Sequence, residues 1–234
     1  MDAHTRTVMI TGAAGNLGRC VAASFLAGGA NLVLVDLRRS SLEQAFGAED
    51  ERRLFVPTNL LEQAQVNGAV TAAVERYGRI DVLCNLAGGF RMGEAVHETA
   101  GPNWDFLVDI NVRTLLHAVR AVVPHMIASG GGKIVNVGAY SAQRGLARMG
   151  AYCAAKDAVI RLTEAMAAEL REKNINVNCV LPTIIDTPEN RAAMPNADPS
   201  RWVAPEDLAN VIAFLASDGA RAIHGAALPV TGLS

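Results

Sequence analysis

A tyrosine and a lysine four residues apart, Tyr152 and Lys156, are the side chains in this sequence best suited to proton transfer. On a helix, residues four apart lie on one face. A phenol, with an ordinary pKa of about 10, is a poor acid–base catalyst at neutral pH, but an adjacent ammonium favours the phenolate and lowers that pKa. The pair is therefore interpreted as acid–base machinery, although the same spacing is also typical of a packed ring beside a solvated charge.

A second chemical feature is a glycine-rich loop. Gly12, Gly15 and Gly18 follow the apolar run Val8-Met9-Ile10 and precede a helical pattern. Glycines let the backbone turn tightly and approach a pyrophosphate, whose charge is met by the free N–H groups and positive end of the next helix. The loop predicts a dinucleotide site, and the positive charge of a bound nicotinamide ring would also lower the phenol pKa. The residues expected to contact the dinucleotide here are Gly12, Gly15, Asn16 and Leu17.

Asp36 indicates which dinucleotide is bound. It lies 24 positions after Gly12, at the end of the second apolar run. A carboxylate there accepts hydrogen bonds from both adenosine ribose hydroxyls and repels a 2′-phosphate, so NAD(H) is favoured. Arg38 and Arg39 keep NADP(H) possible, because a nearby guanidinium can receive that phosphate. Their alternative role is that of solvated loop charges.

The elements that must position these residues follow a regular alternation. Seven short runs rich in branched residues alternate with segments of helical spacing, and no linker, repeat or low-complexity tract interrupts them. This pattern predicts an α/β fold with one domain over residues 1–234. Its parallel sheet has about seven strands, with helices on both faces, and binds its ligand at the carboxyl ends of the strands.

Two helices are longer than a crossover requires, roughly 103–128 and 152–173. Their surplus apolar surface suggests packing against another copy of the chain, as a homodimer or homotetramer. A face buried within the same chain explains the pattern equally well.

Composition excludes several classes of function. Lysine and arginine total 21 against 23 acidic residues, so no basic field favours nucleic acid. No apolar run reaches the length of a membrane span, and the start, residues 1–7, is polar where a signal peptide would be apolar. The four cysteines lack metal-ligand spacing, so we expect free thiols and no metal. We therefore expect a soluble cytoplasmic protein with a small-molecule substrate and neither nucleic-acid nor membrane partners.

Together these motifs resemble the short-chain dehydrogenase/reductase family over nearly the whole chain. The resemblance rests on the glycine loop, on Asn85-Leu86-Ala87-Gly88 after the fourth strand, on Asn111 in the first long helix, on Tyr152 with Lys156, and on Pro182 five residues before Thr187. It implies a single NAD(P)-binding Rossmann domain with oxidoreductase activity.

The resemblance also implies residue roles. The tyrosine is the general acid or base, and the lysine binds the nicotinamide ribose and lowers the phenol pKa. Asn111 supports a water and proton relay, and Thr187 holds the carboxamide. Asn59 and Leu60 stand where the family has Asp-Val beside the adenine, so Asn59 is expected to hydrogen-bond the base. The further expected cofactor contacts are Asn85, Ala87, Gly88 and Pro182.

The sequence departs from the family pattern at two positions. Asn16 replaces the middle glycine of the loop, and alanine stands at position 139, where the family has its catalytic serine thirteen residues before the tyrosine. Losing one such hydrogen-bond donor typically costs about a hundredfold or more in rate. Ser141 either substitutes for the serine or satisfies a backbone group.

One branch of the family, dihydropteridine reductase, lacks this serine. The chain resembles it locally, in Gly138-Ala139 and in the segment from Asp186 to Trp202. A quinonoid ring is electron-poor and gains aromaticity on accepting hydride, so it needs less help from a serine.

The family's corresponding stretch covers the substrate, so residues 188–204 are expected to form a short lid; a purely structural flap is the alternative. The residues expected at the substrate are Ala139, Ser141, Arg191, Met194 and Trp202.

Three functions remain open: hydride transfer to or from a small carbonyl, alcohol or conjugated ring; reduction of quinonoid dihydropterin; and dinucleotide binding without turnover, as a sensor or scaffold. Ala139 motivates the third function, whereas Tyr152, Lys156 and Asn111 argue against it.

Overall fold

Seven strands form one sheet in the computed structural model, which describes residues 5–234. Residues 1–4, which belong to the polar start considered above, lie outside the described residues. The strands are β1 (Thr7–Thr11), β2 (Asn31–Asp36), β3 (Arg53–Pro57), β4 (Val82–Asn85), β5 (Gly132–Val137), β6 (Ile175–Pro182) and β7 (Ala227–Val230). The helices are α1 (Asn16–Ala27), α2 (Arg39–Phe46), α3 (Gln63–Tyr77), α4 (Gly101–Val108), α5 (Thr114–Ala128), α6 (Gly150–Leu170), α7 (Pro188–Ala193) and α8 (Pro205–Leu215).

The order of the strands places a binding crevice between β1 and β4. The sheet runs β3-β2-β1-β4-β5-β6-β7, and every neighbouring pair is parallel. The first three strands therefore extend the sheet in one direction from β1, and β4 lies on the other side of β1. Ligands bind at such a switch point, beyond the carboxyl ends of the strands. The predicted seven-stranded α/β Rossmann fold is confirmed.

Both faces of the sheet are covered, because successive strand residues point to opposite sides. In β4, Leu83 packs into one buried cluster with α3, α5 and α6, and Cys84 packs into the other with α1 and α8. All eight residues of β6 are buried. Burial on both faces explains why the strands read as continuous apolar runs rather than alternating ones.

The first long helix is made of three parts. Helix α4, a π-helical turn over Asp109–Arg113 and α5 follow one another without interruption. The second is α6 followed by a short 3₁₀ turn, Arg171–Lys173. Trp104 and Ile127 on the first long helix are 46% and 42% exposed. Contact with another copy of the chain stays a prediction.

The four cysteines are free; Cys84, Cys153 and Cys179 are buried and Cys20 is partly exposed. Within residues 5–234, no helix is long and apolar enough to cross a membrane. The same residues contain no group of three or more histidine, cysteine or acidic side chains arranged to hold a metal.

Candidate active site

The glycine loop lies against the end of β4. Thr11, the last residue of β1, accepts hydrogen bonds at Oγ1 from the backbone N–H groups of Leu86 (3.1 Å) and Ala87 (3.2 Å). Gly12 adopts φ +64°, and a Cβ there would lie 3.0 Å from the Ala87 backbone. Only glycine can adopt this conformation and also leave room for so close an approach. The predicted glycine loop and the predicted Ala87–Gly88 segment are therefore in contact.

The start of α1 is shaped for close backbone packing. A Cβ on Gly18 would lie 2.4 Å from the Gly12 carbonyl oxygen, so the helix approaches the loop at a distance that no side chain allows. Gly15 is the N-cap, and the helix begins at Asn16 without a side-chain cap. The first-turn N–H groups are therefore left for an oxygen acceptor, which suits a pyrophosphate.

Asp36 is held by two backbone donors. Oδ2 accepts a hydrogen bond from Ala14 N–H (3.0 Å), and Oδ1 accepts one from Leu37 N–H (2.8 Å). Each oxygen keeps acceptor capacity for a further donor, such as a ribose hydroxyl. The carboxylate borders a cavity of about 280 Å³. The predicted residues lining this cavity are Gly12, Asp36, Asn59, Leu60, Ala87 and Gly88.

The two arginines beyond Asp36 differ in their contacts. Arg39, the first residue of α2, forms ion pairs with Glu43 (3.0 Å) and Glu49 (3.3 Å). Arg38, the N-cap of α2, is exposed and forms no ion pair within residues 5–234. Of the two, Arg38 is the one whose guanidinium is not engaged by a carboxylate.

Lys156 and Asn111 meet at Gly88. The buried Lys156 Nζ donates to the Val137 carbonyl oxygen at 2.8 Å. A Cβ on Gly88 would lie 3.1 Å from Lys156 Nζ and 2.9 Å from Asn111 Oδ1. Tyr152 lies one turn before Lys156 in α6, and its ring packs against Phe90, two residues after Gly88.

Asn111 is fixed by three hydrogen bonds. Its Oδ1 accepts from Gly89 N–H (3.1 Å), and its Nδ2 donates to the carbonyl oxygens of Gly89 and Leu107 (3.0 Å each). It occupies the π-helical turn between α4 and α5. Such turns disturb the regular helical hydrogen bonding and are frequent at functional sites.

Burial sets the protonation of the tyrosine and lysine. It raises the pKa of Tyr152 to about 12 and lowers the pKa of Lys156 to about 8. The Tyr-x-x-x-Lys spacing predicts that the ammonium lowers the phenol pKa. In the protein alone the shift has the opposite sign, because desolvation of the phenolate is the largest effect on Tyr152. The phenol therefore holds its proton at neutral pH, ready to donate it.

A methyl group occupies the serine position. Ala139 is buried two residues after β5 ends, and Ser141 follows in a 3₁₀ turn, Tyr140–Gln143. The Ser141 carbonyl oxygen accepts a hydrogen bond from Cys153 Sγ at 3.4 Å. That contact anchors the turn to α6, but the role of the Ser141 hydroxyl stays a prediction.

Residues 183–204, called the flap below, follow β6 and contain α7 and a 3₁₀ turn, Pro199–Arg201. The role of residues 188–204 as a lid over the substrate stays a prediction. The base of the flap is closed by a bridge between Ile185 and Val203. Thr187 accepts a hydrogen bond at Oγ1 from Asn190 N–H (3.2 Å) and so caps α7. Glu189, in the first turn of α7, accepts a hydrogen bond at Oε2 from Asn16 Nδ2 (2.8 Å). The flap therefore contacts the glycine loop directly.

The flap contains three of the predicted substrate residues, whose role at the substrate stays a prediction. Arg191 is exposed and forms a bidentate pair with Asp186, at 2.6 and 2.7 Å. Met194 is half-buried and Trp202 is buried. None of these three is among the residues that line the narrow cleft containing Tyr152.

That cleft contains residues the sequence analysis missed. It is lined by Tyr152 together with Arg91, Glu94 and Arg148. Phe90 packs edge-on against Tyr152, with ring centroids 4.8 Å apart, and is 54% exposed. Phe90 and Arg91 directly follow Gly88-Gly89, and their closeness to the predicted Gly88 could have identified them. No pattern marks Arg148.

The cavity beside Asp36 also has lining residues that the sequence did not predict. They are Leu37, Thr58, Leu61, Ile110 and Thr114. The first three lie within two residues of Asp36 or Asn59, and that closeness in sequence could have identified them.

Comparison with known proteins gives a consistent result. Residues 6–198 match the family described as short chain dehydrogenase. A relative from Thauera aromatica, (2S)-[(R)-hydroxy(phenyl)methyl]succinyl-CoA dehydrogenase subunit BbsD, is 32% identical over 99% of this chain and 97% of its own.

Two solved structures are similar throughout. Carveol dehydrogenase from Mycobacterium avium in complex with NAD has a TM-score of 0.89 and 27% identity, covering 98% of this chain and 97% of its own. ElxO with NADP bound has a TM-score of 0.89 and 25% identity, covering 97% and 98%.

Proposed function

Because the chain belongs to the short-chain dehydrogenase/reductase family, we propose that it is an NAD(H)-dependent oxidoreductase with Tyr152 as its acid and base. Its substrate is a small carbonyl, alcohol or conjugated ring. The observation that carries the proposal is the position of Ala87–Gly88. This backbone meets Gly12 on one side and Asn111 with Lys156 on the other, so one segment joins the cofactor loop to the proton-transfer residues.

The residues present fit a nicotinamide dinucleotide. Gly12 and Gly15 would hold the pyrophosphate at the start of α1, and Asp36 would bind the adenosine ribose, since both its oxygens keep acceptor capacity. Asn59 would contact the adenine and Lys156 the nicotinamide ribose. When bound, the nicotinamide supplies a hydride for reduction or accepts one for oxidation.

The remaining cofactor contacts of the proposal lie around these residues. They are Asn16, Leu17, Leu60, Asn85, Ala87, Gly88, Pro182 and Thr187.

The chain's own residues move the proton. In the reduction direction the Tyr152 hydroxyl donates its proton to the substrate oxygen, and the Lys156 ammonium favours the resulting phenolate. Asn111 holds Gly89 in place and supports the relay that returns a proton to the phenol. Because position 139 offers only a methyl group, electron-poor substrates suit this site better than isolated ketones.

The arrangement around Asp36 supports NAD(H) over NADP(H). A carboxylate fixed by two N–H donors repels a 2′-phosphate, and Arg39 is engaged by Glu43 and Glu49. Arg38 keeps NADP(H) possible.

Reduction of quinonoid dihydropterin is the second candidate, supported by Phe90. Its half-exposed ring beside Tyr152 offers a flat apolar surface for a planar substrate. Ala139 is compatible with a ring that gains aromaticity on reduction.

We also propose a homodimer or homotetramer formed through the two long helices. The exposed side chains of Trp104, Leu116 and Ile127 support it. Sedimentation velocity at several concentrations tests it, and a monomer throughout would contradict it.

The function is tested with purified protein and a substrate panel. NADH and NADPH oxidation are followed with quinonoid dihydropterin, ketones and aldehydes, while fluorescence titration measures cofactor binding separately. Turnover with NADH is expected. Binding of NADH without turnover of any substrate would contradict the proposal and favour a sensor or scaffold.

A further inference from the structure

Two arginines are among the residues that line the cleft containing Tyr152. Arg91 comes from the segment after β4, and Arg148 comes from the segment before α6. Neither the predicted cofactor contacts nor the acid–base mechanism uses them. Because they line the same cleft as Tyr152, they are available to a substrate that enters it.

Both arginines are positioned by specific contacts. The Arg91 guanidinium lies 3.7 Å from the Phe106 ring centroid, and its Nη1 donates to Asn103 Oδ1 at 3.0 Å. Arg148 is joined to Gly93 in both directions: Gly93 N–H donates to the Arg148 carbonyl oxygen (2.9 Å), and Arg148 Nη1 donates to the Gly93 carbonyl oxygen (3.4 Å). Held side chains lose less conformational freedom when they bind a ligand.

The backbone at Arg148 is strained. Arg148 and Asn174 are the two non-glycine residues of the described chain with positive φ, at 62° and 57°. Asparagine tolerates this conformation, but a long side chain does not favour it. Strain of this kind clusters at active sites and ligand clamps.

The charge of the cleft is not balanced. Within residues 5–234 neither Arg91 nor Arg148 forms an ion pair. Glu94 is the acidic residue that lines the cleft, and its Oε2 already accepts a hydrogen bond from Ala100 N–H at 3.1 Å. Two arginines against one engaged carboxylate give the lining of the cleft a net positive charge.

We propose that the substrate is an oxo acid or hydroxy acid, whose carboxylate Arg148 and Arg91 bind while its reacting oxygen faces Tyr152. The planar guanidinium fork matches a carboxylate in geometry and charge. This inference rests on the proposed oxidoreductase function and specifies its substrate class.

The test compares acids with their methyl esters at saturating NADH. The panel contains 2-oxo acids, short 3-oxo acids and formylbenzoates, each beside its ester. We expect at least one acid to be reduced with a kcat/KM about tenfold or more above that of its ester, the effect of one charge-assisted hydrogen bond. Arg148→Gln and Arg91→Gln should each lower kcat/KM for the acid more than for the ester, and Arg148→Lys should retain part of the preference.

Two further variants separate charge from other effects. Arg148→Gly relieves the backbone strain, so it should raise thermal stability while abolishing the acid preference. Arg144→Gln removes an exposed arginine that does not line the cleft and should leave the acid-to-ester ratio unchanged. Equal use of acids and esters, or an equal loss in Arg144→Gln and Arg148→Gln, would overturn the inference.

Benzoate binding gives a readout independent of turnover. Calorimetry on the protein with NADH should detect benzoate binding that Arg148→Gln weakens about tenfold. Reduction of neutral aldehydes only, without benzoate binding, would overturn the anion site and leave the oxidoreductase function intact. Benzoate binding without reduction of any substrate would support the anion site and contradict the proposed function.

Discussion

Asn16 Nδ2 lies 2.8 Å from Glu189 Oε2, and this hydrogen bond ties the glycine loop to the flap. Asn16 Oδ1 also accepts a hydrogen bond from Arg19 Nη2 at 2.6 Å, which fixes the orientation of the amide. The residue that departs from the family's loop pattern is therefore the one that contacts the flap. The flap crosses the start of α1, where the pyrophosphate is proposed to bind.

Asn16→Gly is expected to speed NADH release severalfold, because the flap loses its contact with the loop. Glu189→Ala should speed release by a similar factor, whereas Glu189→Gln keeps an acceptor and should have a smaller effect. Stopped-flow fluorescence measures the rate. If Asn16 and Glu189 act through one hydrogen bond, the double variant should be no faster than either single variant. Fully additive effects would contradict the contact.

Asp36→Ala is expected to weaken NADH binding about tenfold or more and to improve NADPH binding, because the acceptor for the ribose and the repulsive charge are both lost. Titration with both cofactors measures the change. Arg38→Ala in the same background should reduce the gain for NADPH, because the free guanidinium that can receive the 2′-phosphate is lost. Arg39→Ala should leave the gain for NADPH unchanged, because Glu43 and Glu49 engage the Arg39 guanidinium. A gain that depends on Arg39 would contradict this assignment.

The pH dependence of reduction is expected to follow Lys156. Its pKa is lowered to about 8 by burial, so the ammonium is present below pH 8 and is lost as the pH rises through that value. Tyr152, with its pKa raised to about 12, stays protonated over the same range. The kcat/KM for NADH, which reports the free protein, should therefore fall above about pH 8. A value that rises through pH 8 would contradict the role of the ammonium.

Ala139→Ser restores a donor at the family's serine position. We expect kcat on isolated ketones to rise about tenfold or more, with a smaller change on conjugated rings that need less polarisation. Steady-state kinetics with one substrate of each kind measures the difference. Ser141→Ala is the matched control. If that variant alone abolishes ketone reduction, Ser141 has taken over the serine's role.

Much of the fold and the cofactor loop was predictable because each depends on a local rule. Branched runs such as Leu32–Val35 form buried strands, and Gly12 with Gly18 is required where backbones approach closely. The seven strands and both long helices lie where the sequence predicts them. Asp36 was identifiable because its distance from the loop follows from the β1-α1-β2 unit.

Other features depend on contacts between distant segments. The sign of the Tyr152 pKa shift follows from burial, which the Tyr-x-x-x-Lys spacing does not reveal. The contact of Asn16 with Glu189 joins residues 173 positions apart. Arg148 has a left-handed backbone conformation that its residue type does not predict. Arg191 pairs with Asp186 and does not line the cleft.

The central claim is that Tyr152 delivers the proton that accompanies hydride transfer. The most direct measurement uses NADH deuterated at C4 of the nicotinamide and follows deuterium incorporation into the product, for the unaltered protein, Tyr152→Phe and Tyr140→Phe. Tyr140 is an exposed tyrosine in the turn after β5 and serves as the control. We predict transfer by the unaltered protein and by Tyr140→Phe, with a loss of about a hundredfold or more in Tyr152→Phe. Transfer that persists undiminished in Tyr152→Phe would contradict the account.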